Sequence, residues 1–155
     1  MKIIFIADVF VEDGILGGGE LNNDEFIKIA LSRDIDVFKT NSRFVTPKFI
    51  NENIGADFMV ANFIQLSDES KNLLASKANY AIYEHDHKYL DSRNPSVFEN
   101  FKAPKKNIVN YEFYKCAKAI FCQSKFHSDI VKLNLELDNI YSLGGNIWAL
   151  NALNF

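Results

Sequence analysis

Four ionisable side chains stand in a row at Glu84-His85-Asp86-His87, directly after the apolar run 80–83 (YAIY). An imidazole oriented by a neighbouring carboxylate can move protons or hold hydroxyl and phosphate groups. His85 follows the apolar run most directly, so it is the favoured catalytic residue, with Asp86 beside it. For His87 a plainer role fits better: with Asp86 it ties down the polar stretch that follows. Imidazole and carboxylate also invite a metal, since both are zinc ligands. Adjacent strand residues point to opposite faces, however, and the third histidine, His127, is remote in sequence, so no metal is expected.

The second group able to do chemistry is Gly17-Gly18-Gly19-Glu20. Successive glycines at a helix start allow close backbone approach, and the free N–H groups there attract an anion. A flexible turn, with Gly19 permitting the entry angle of the helix, is the structural alternative, and spacing alone does not separate the two. A dinucleotide fingerprint needs Gly-x-Gly-x-x-Gly joined tightly to the first strand and an acid after the second. Here Lys39-Thr40 stands at the latter place. A P-loop needs Gly-Lys-Ser/Thr, and Gly19 is followed by Glu20. A response-regulator receiver domain would need an acidic pair after strand one and an Asp after strand three, where this chain has Asp8-Val9 and Asn62.

These residues need elements to position them. Continuous apolar or β-branched runs predict strands at 2–7, 36–39, 57–61, 80–83, 119–122 and 139–143. Helical spacing or capping signals predict helices at 20–32, from Pro47, at 67–76 with Ser67 as N-cap, at 108–117 and at 124–133. Strict alternation implies an α/β fold, a Rossmann-like three-layer sandwich with a parallel sheet of five to six strands and helices on both faces. Ligands then bind at the carboxyl ends of the strands. That rule selects Asp8 with the glycine loop and the windows 40–43, 62–65, 84–88 and 123–125.

The chain has 155 residues, 48% hydrophobic and 24% charged, which suits one globular domain with its own core. A net charge of −3 argues against a general nucleic-acid partner. Lys102, Lys105 and Lys106 read as a solvated loop. Cys116 and Cys122 lie in apolar text and read as buried, reduced thiols. The N-terminal apolar run meets Asp8 too soon for a signal peptide or a membrane span, so a cytoplasmic protein is expected. The apolar tail Ile147-Trp148-Ala149-Leu150 must pack on a partner surface or fold back as a helix on its own sheet.

In order and placement these motifs resemble the N-terminal half of GT-B-fold glycosyltransferases of the glycogen-synthase-like group. Gly17-Gly18-Gly19-Glu20 is similar to that group's Gly-Gly-Ala-Glu helix opening, with Gly19 in place of alanine. His85-Asp86 matches the histidine that ends its fourth strand. The segment from Ala117 to Ser124 is similar to its fifth strand, with Lys118 where an acid is common, and Leu143-Gly144-Gly145-Asn146 resembles the approach to the second domain.

The resemblance implies a nucleotide-diphosphate sugar as donor, no separate cofactor and an acceptor yet to be identified. It makes His85 and Asp86 catalytic, and Gly17, Gly18, Gly19, Glu20, Glu84, Ser124 and Lys125 substrate-binding. The donor-binding C-terminal half has no counterpart within residues 1–155, which are expected to form a single domain, inactive alone and completed by a separate domain, a partner or self-association. A non-catalytic Rossmann-like binding or interaction module is the alternative. A small phosphate-ester or nucleotide-binding enzyme using His85 and Asp86 is a third reading.

Overall fold

The computed structural model describes residues 1–14 and 17–149. Six strands, β1 (Lys2–Ala7), β2 (Asp36–Asn41), β3 (Asp57–Val60), β4 (Asn79–Glu84), β5 (Ile120–Cys122) and β6 (Ile140–Ser142), form one sheet in the order 2-1-3-4-5-6. Every pairing is parallel. The helices are α1 (Gly18–Leu31), α2 (Pro47–Glu52), α3 (Asp68–Lys77), α4 (Tyr111–Cys116) and α5 (Lys125–Leu135). The architecture is thus a Rossmann-like α/β sandwich, as its strand-helix alternation requires.

Alternation along the strands divides the core in two. Ile4, Ile6, Phe58, Val60, Tyr80 and Ile82 face α2–α5, whose Ile50, Leu74, Phe113 and Val131 close that layer. Phe5, Ala7, Ala61 and Tyr83 face the other way, where Ile27 of α1 covers them. Right-handed crossovers explain the split. The step from β1 to β2 runs one way along the sheet and every later step runs the other, so among the described residues α1 is the one helix on its face.

The helices begin where the sequence supplies caps. Thr46 Oγ1 accepts from Phe49 N at 3.2 Å ahead of Pro47, Ser67 Oγ accepts from Ser70 N at 3.2 Å, and Ser124 Oγ accepts from His127 N at 3.1 Å. Each satisfies one of the free first-turn donors. α1 has no such cap: Gly17 sits at its N-cap position with extended backbone and no side chain to offer.

Two expectations change. The helix expected over 108–117 is confined to Tyr111–Cys116, because Ile108 bridges Leu90 and Val109 N donates to Tyr89 O at 2.8 Å. Those backbone groups are spent outside the helix, and Asn110 turns left-handed to start it. Cys116 is exposed rather than buried, whereas Cys122 lies in the core. Lys102 lies in an exposed segment, as expected, and its ammonium group meets Leu133 O and Glu136 at the carboxyl end of α5.

The tail residues 147–149 are not helical; Ile147 packs beside Phe26 and Tyr83, and Trp148 remains exposed. Leu150, the last residue of that expectation, lies outside the described residues. No helix among the described residues is long and apolar enough to cross a membrane.

Candidate functional site

The strand order reverses between β1 and β3, and such a switch point opens a crevice at the carboxyl ends of the strands. Asp8, one residue past β1, organises this edge. Its carboxylate accepts from Ile64 N at 2.9 Å, Gln65 N at 3.0 Å and the Ser42 hydroxyl. One side chain thereby fixes the loops that follow three neighbouring strands. Its oxygens are spent on the scaffold.

The glycine loop lies beside this staple, and Gly19 approaches the end of β4. A Cβ on Gly19 would stand 3.6 Å from His85 Cγ and 3.7 Å from Asn62 Nδ2. Glu20 turns its carboxylate back over Gly17, where a Cβ would collide with Glu20 Oε2, and its other oxygen lies 3.5 Å from Asn62 Nδ2. The helix N-terminus already has an anion of its own, which favours the positive end of the helix dipole. Diphosphate binding as the resemblance implies requires Glu20 to swing away.

Contacts of this length are ordinary, so Gly19→Ala fits without displacing its neighbours. Alanine is the better helix former, and the substitution is expected to raise stability by up to about 1 kcal/mol. Chemical denaturation measures this; a loss would mean that the packing over His85 is tighter than the structure has it.

His85 projects to the α1 face. Its Nε2 lies 2.8 Å from Asn23 Oδ1, its Nδ1 2.8 Å from Gln123 Nε2, and its ring packs 4.3 Å from that of Tyr83. With Asn23 Oδ1 accepting and the Gln123 amide donating, the proton resides on Nε2. Burial, helped by the Lys88 charge, lowers its pKa to about 4 against the pull of Glu84 and Asp86, so the ring is neutral near pH 7. The expected carboxylate orienter is absent: two amides hold the ring instead.

Asp86 points elsewhere, with Oδ1 on the Lys88 ammonium and Oδ2 on Arg93 Nη1 at 3.2 Å. Glu84, expected to bind substrate, does not reach the site. It faces α4 from the opposite side of the sheet with 0% of its surface exposed, so it cannot touch a ligand directly. Its carboxylate accepts from the Tyr114 hydroxyl and from Asp86 N at 3.0 Å, and it lies 3.5 Å from Lys88 Nζ. Ser124 caps α5, and Lys125 pairs with Asp129 at 2.6 Å on the helix surface, so neither joins the group around His85.

His87 does tie down the loop, through Nδ1 and the Tyr89 hydroxyl at 2.9 Å, and its ring lies 4.4 Å from that of His127. Among the described residues no group of three or more His, Cys, Asp or Glu side chains could hold a metal ion.

What comes together is therefore the glycine loop, Glu20, Asn62, His85 and the amides of Asn23 and Gln123. No family model, curated protein or solved structure matches the chain. The site stands on its own geometry.

Asn62 and Gln123 fall inside the windows that the carboxyl-edge rule selects, but an amide carries no ionisable signal that would mark it within them. Asn23 fell outside those windows. Asn22-Asn23, two poor helix formers on the buried side of α1, was the available clue. Asn22 donates to Gly18 O at 2.8 Å and accepts from Tyr83 OH at 3.2 Å and Ile147 N at 2.8 Å.

Proposed function

We propose that this chain is the acceptor-side domain of a glycosyltransferase that moves a sugar from a nucleotide-diphosphate donor to a hydroxyl acceptor. The donor-binding half would come from a further domain or a partner chain. The observation that supports this is the convergence, at the carboxyl ends of β3 and β4 beside the switch point, of a helix N-terminus, a carboxylate, an amide and a neutral imidazole. Such a mixture of donors and acceptors suits sugar hydroxyls.

When the donor's sugar–phosphate bond breaks, its electron pair stays on phosphate and the sugar carbon gains cationic character. The N-terminus of α1 would stabilise the leaving diphosphate once Glu20 withdraws. The acceptor hydroxyl attacks that carbon, and its proton passes to the departing diphosphate, so that the products are the glycoside and the nucleoside diphosphate. For His85 to meet a hydroxyl, one amide must yield. Gln123, partly exposed, can do so more easily than Asn23, which is fully buried.

In the enzyme completed by its donor half, His85→Ala is expected to cut transfer by about 100-fold or more, with the chain still folded. Unchanged turnover would remove His85 from the site. The isolated chain is expected to show little thermal shift with uridine or guanosine diphosphate sugars, because most donor contacts would lie in the other half. A large shift would place the donor site wrongly.

The second reading is a non-catalytic binding module. It is favoured by the double engagement of His85 and by Glu20 lying across Gly17. If no added domain or partner restores transfer, that reading prevails.

A further inference from the structure

A cavity of about 360 Å³ opens on the α2–α5 side of the sheet, between α3, the segment after β4 and the segment leading into α4. That lies within the range of about 300–1,000 Å³ usual for small-ligand sites. Lys71, Lys88 and Arg93 line it, with Phe63, Leu90 and Val109 as apolar wall. Lys88 is almost wholly buried in the floor, 5.4 Å above the Phe63 ring.

The hydrogen-bond inventory decides what could enter. Asp86 is engaged at one oxygen by Lys88 and at the other by Arg93. Asp91 is engaged at Oδ1 by Ser92 N at 2.6 Å and at Oδ2 by Asn107 Nδ2 at 2.9 Å. Asn110 Oδ1 receives Lys71 Nζ at 3.1 Å. The two acceptor side chains in the lining, Asp91 and Asn110, thus each already receive a donor, and Asp91 keeps its negative charge.

Donors remain. Lys71 uses two of its three, on Asp68 and Asn110, and Arg93 uses one of its five, on Asp86, among the described residues. The spare donors of Lys71 and Arg93 suit a ligand with acceptor oxygens and negative charge, held on the side of the cavity away from Asp91, and the volume admits more than an oxyanion alone.

We propose that this cavity binds a phosphate monoester of sugar-phosphate size, with Arg93 and Lys71 on the phosphate and the carbon skeleton against Phe63, Leu90 and Val109. Arg93 supplies paired N–H donors on a planar fork, the geometry that suits phosphate oxygens. The site faces the opposite side of the sheet from His85 and stands independently of the sugar-transfer reading.

Calorimetric titration of the full chain with inorganic phosphate, glucose 6-phosphate and glucose at low ionic strength tests this. Both phosphates are expected to bind, the ester more tightly, and glucose not at all. Arg93→Gln and Lys71→Gln should each weaken the ester by about tenfold or more, with unchanged thermal unfolding. Lys105→Gln, at a cation outside the cavity, should leave its affinity intact. No binding of either phosphate at millimolar concentration would overturn the proposal, as would equal weakening by Lys105→Gln. Binding of inorganic phosphate with no gain for the ester would overturn the assignment of ligand class.

Discussion

Replacing Lys88 by methionine is expected to lower the free energy of unfolding by about 3–5 kcal/mol, the usual cost of stranding one partner of a buried ion pair. Glu84 is wholly enclosed, and Lys88 is 3% exposed. Burial by itself pushes the Glu84 carboxyl up. The Lys88 charge, the Tyr114 hydroxyl, His127 and the Asp86 N–H together overcome this and hold it well below the usual carboxylate range. Without Lys88 the largest of these opposing influences disappears, and Glu84 must take up a proton or remain charged without its partner.

Urea titration at neutral pH measures the loss. Glu84→Gln combined with Lys88→Met should cost less than the two single changes added, because neither charge is then stranded. A Lys88→Met loss below about 1 kcal/mol, the level of an exposed pair, would mean that water reaches Glu84.

Stability is also expected to fall steeply in mild acid. His85 and His87 are both lowered from 6.5 to about 4, chiefly by burial, and His127 is lowered for the same first reason. Their folded-state values lie below the unfolded ones, so the unfolded chain takes up protons first as pH drops. The stability is complete above about pH 6.5, declines from there and is lost by about pH 4, below which these groups add no further slope.

For His85, which is deeply buried, the displacement from 6.5 to about 4 corresponds to about 3 kcal/mol. Unfolding free energies measured across that interval check this, and His85→Gln should flatten the decline. A profile flat from pH 7 to pH 4 would contradict the buried, neutral placement of the histidines. Glu84, also depressed, adds its own loss only at lower pH, below its ordinary value of 4.5.

The two sets of residues differ in how far the sequence reveals them. Strands such as Lys2–Ala7 announce themselves because burial on both faces demands uninterrupted apolar text, and Ser67 and Ser124 announce helices because capping is local chemistry. The carboxyl-edge rule then brings Asn62, His85 and Gln123 to one region without any coordinates.

Which partner His85 takes was not legible. Asp86 is adjacent in sequence, yet the strand pleat and the pull of Lys88 and Arg93 turn its carboxylate away. Asn23, remote in sequence, becomes the neighbour because α1 packs across the end of β4, which brings its second turn over His85. Glu84 misleads for a related reason: an acid at a strand end reads as a ligand group, while its pleat position commits it to the core with Tyr114. The boundary of α4 was hidden because Val109 bonds to Tyr89, a pairing between segments that no local pattern encodes.

Asn22 gives this architecture a mechanical property. Its amide group grips Gly18 O, while its carbonyl oxygen receives both Tyr83 OH and the backbone N–H of Ile147. The glycine loop, the middle of the sheet and the strip of chain leaving β6 are thus riveted at a single side chain. Lifting Ile147 away would therefore cost Asn22 one of the two donors that its carbonyl oxygen receives, leaving Tyr83 as the remaining one.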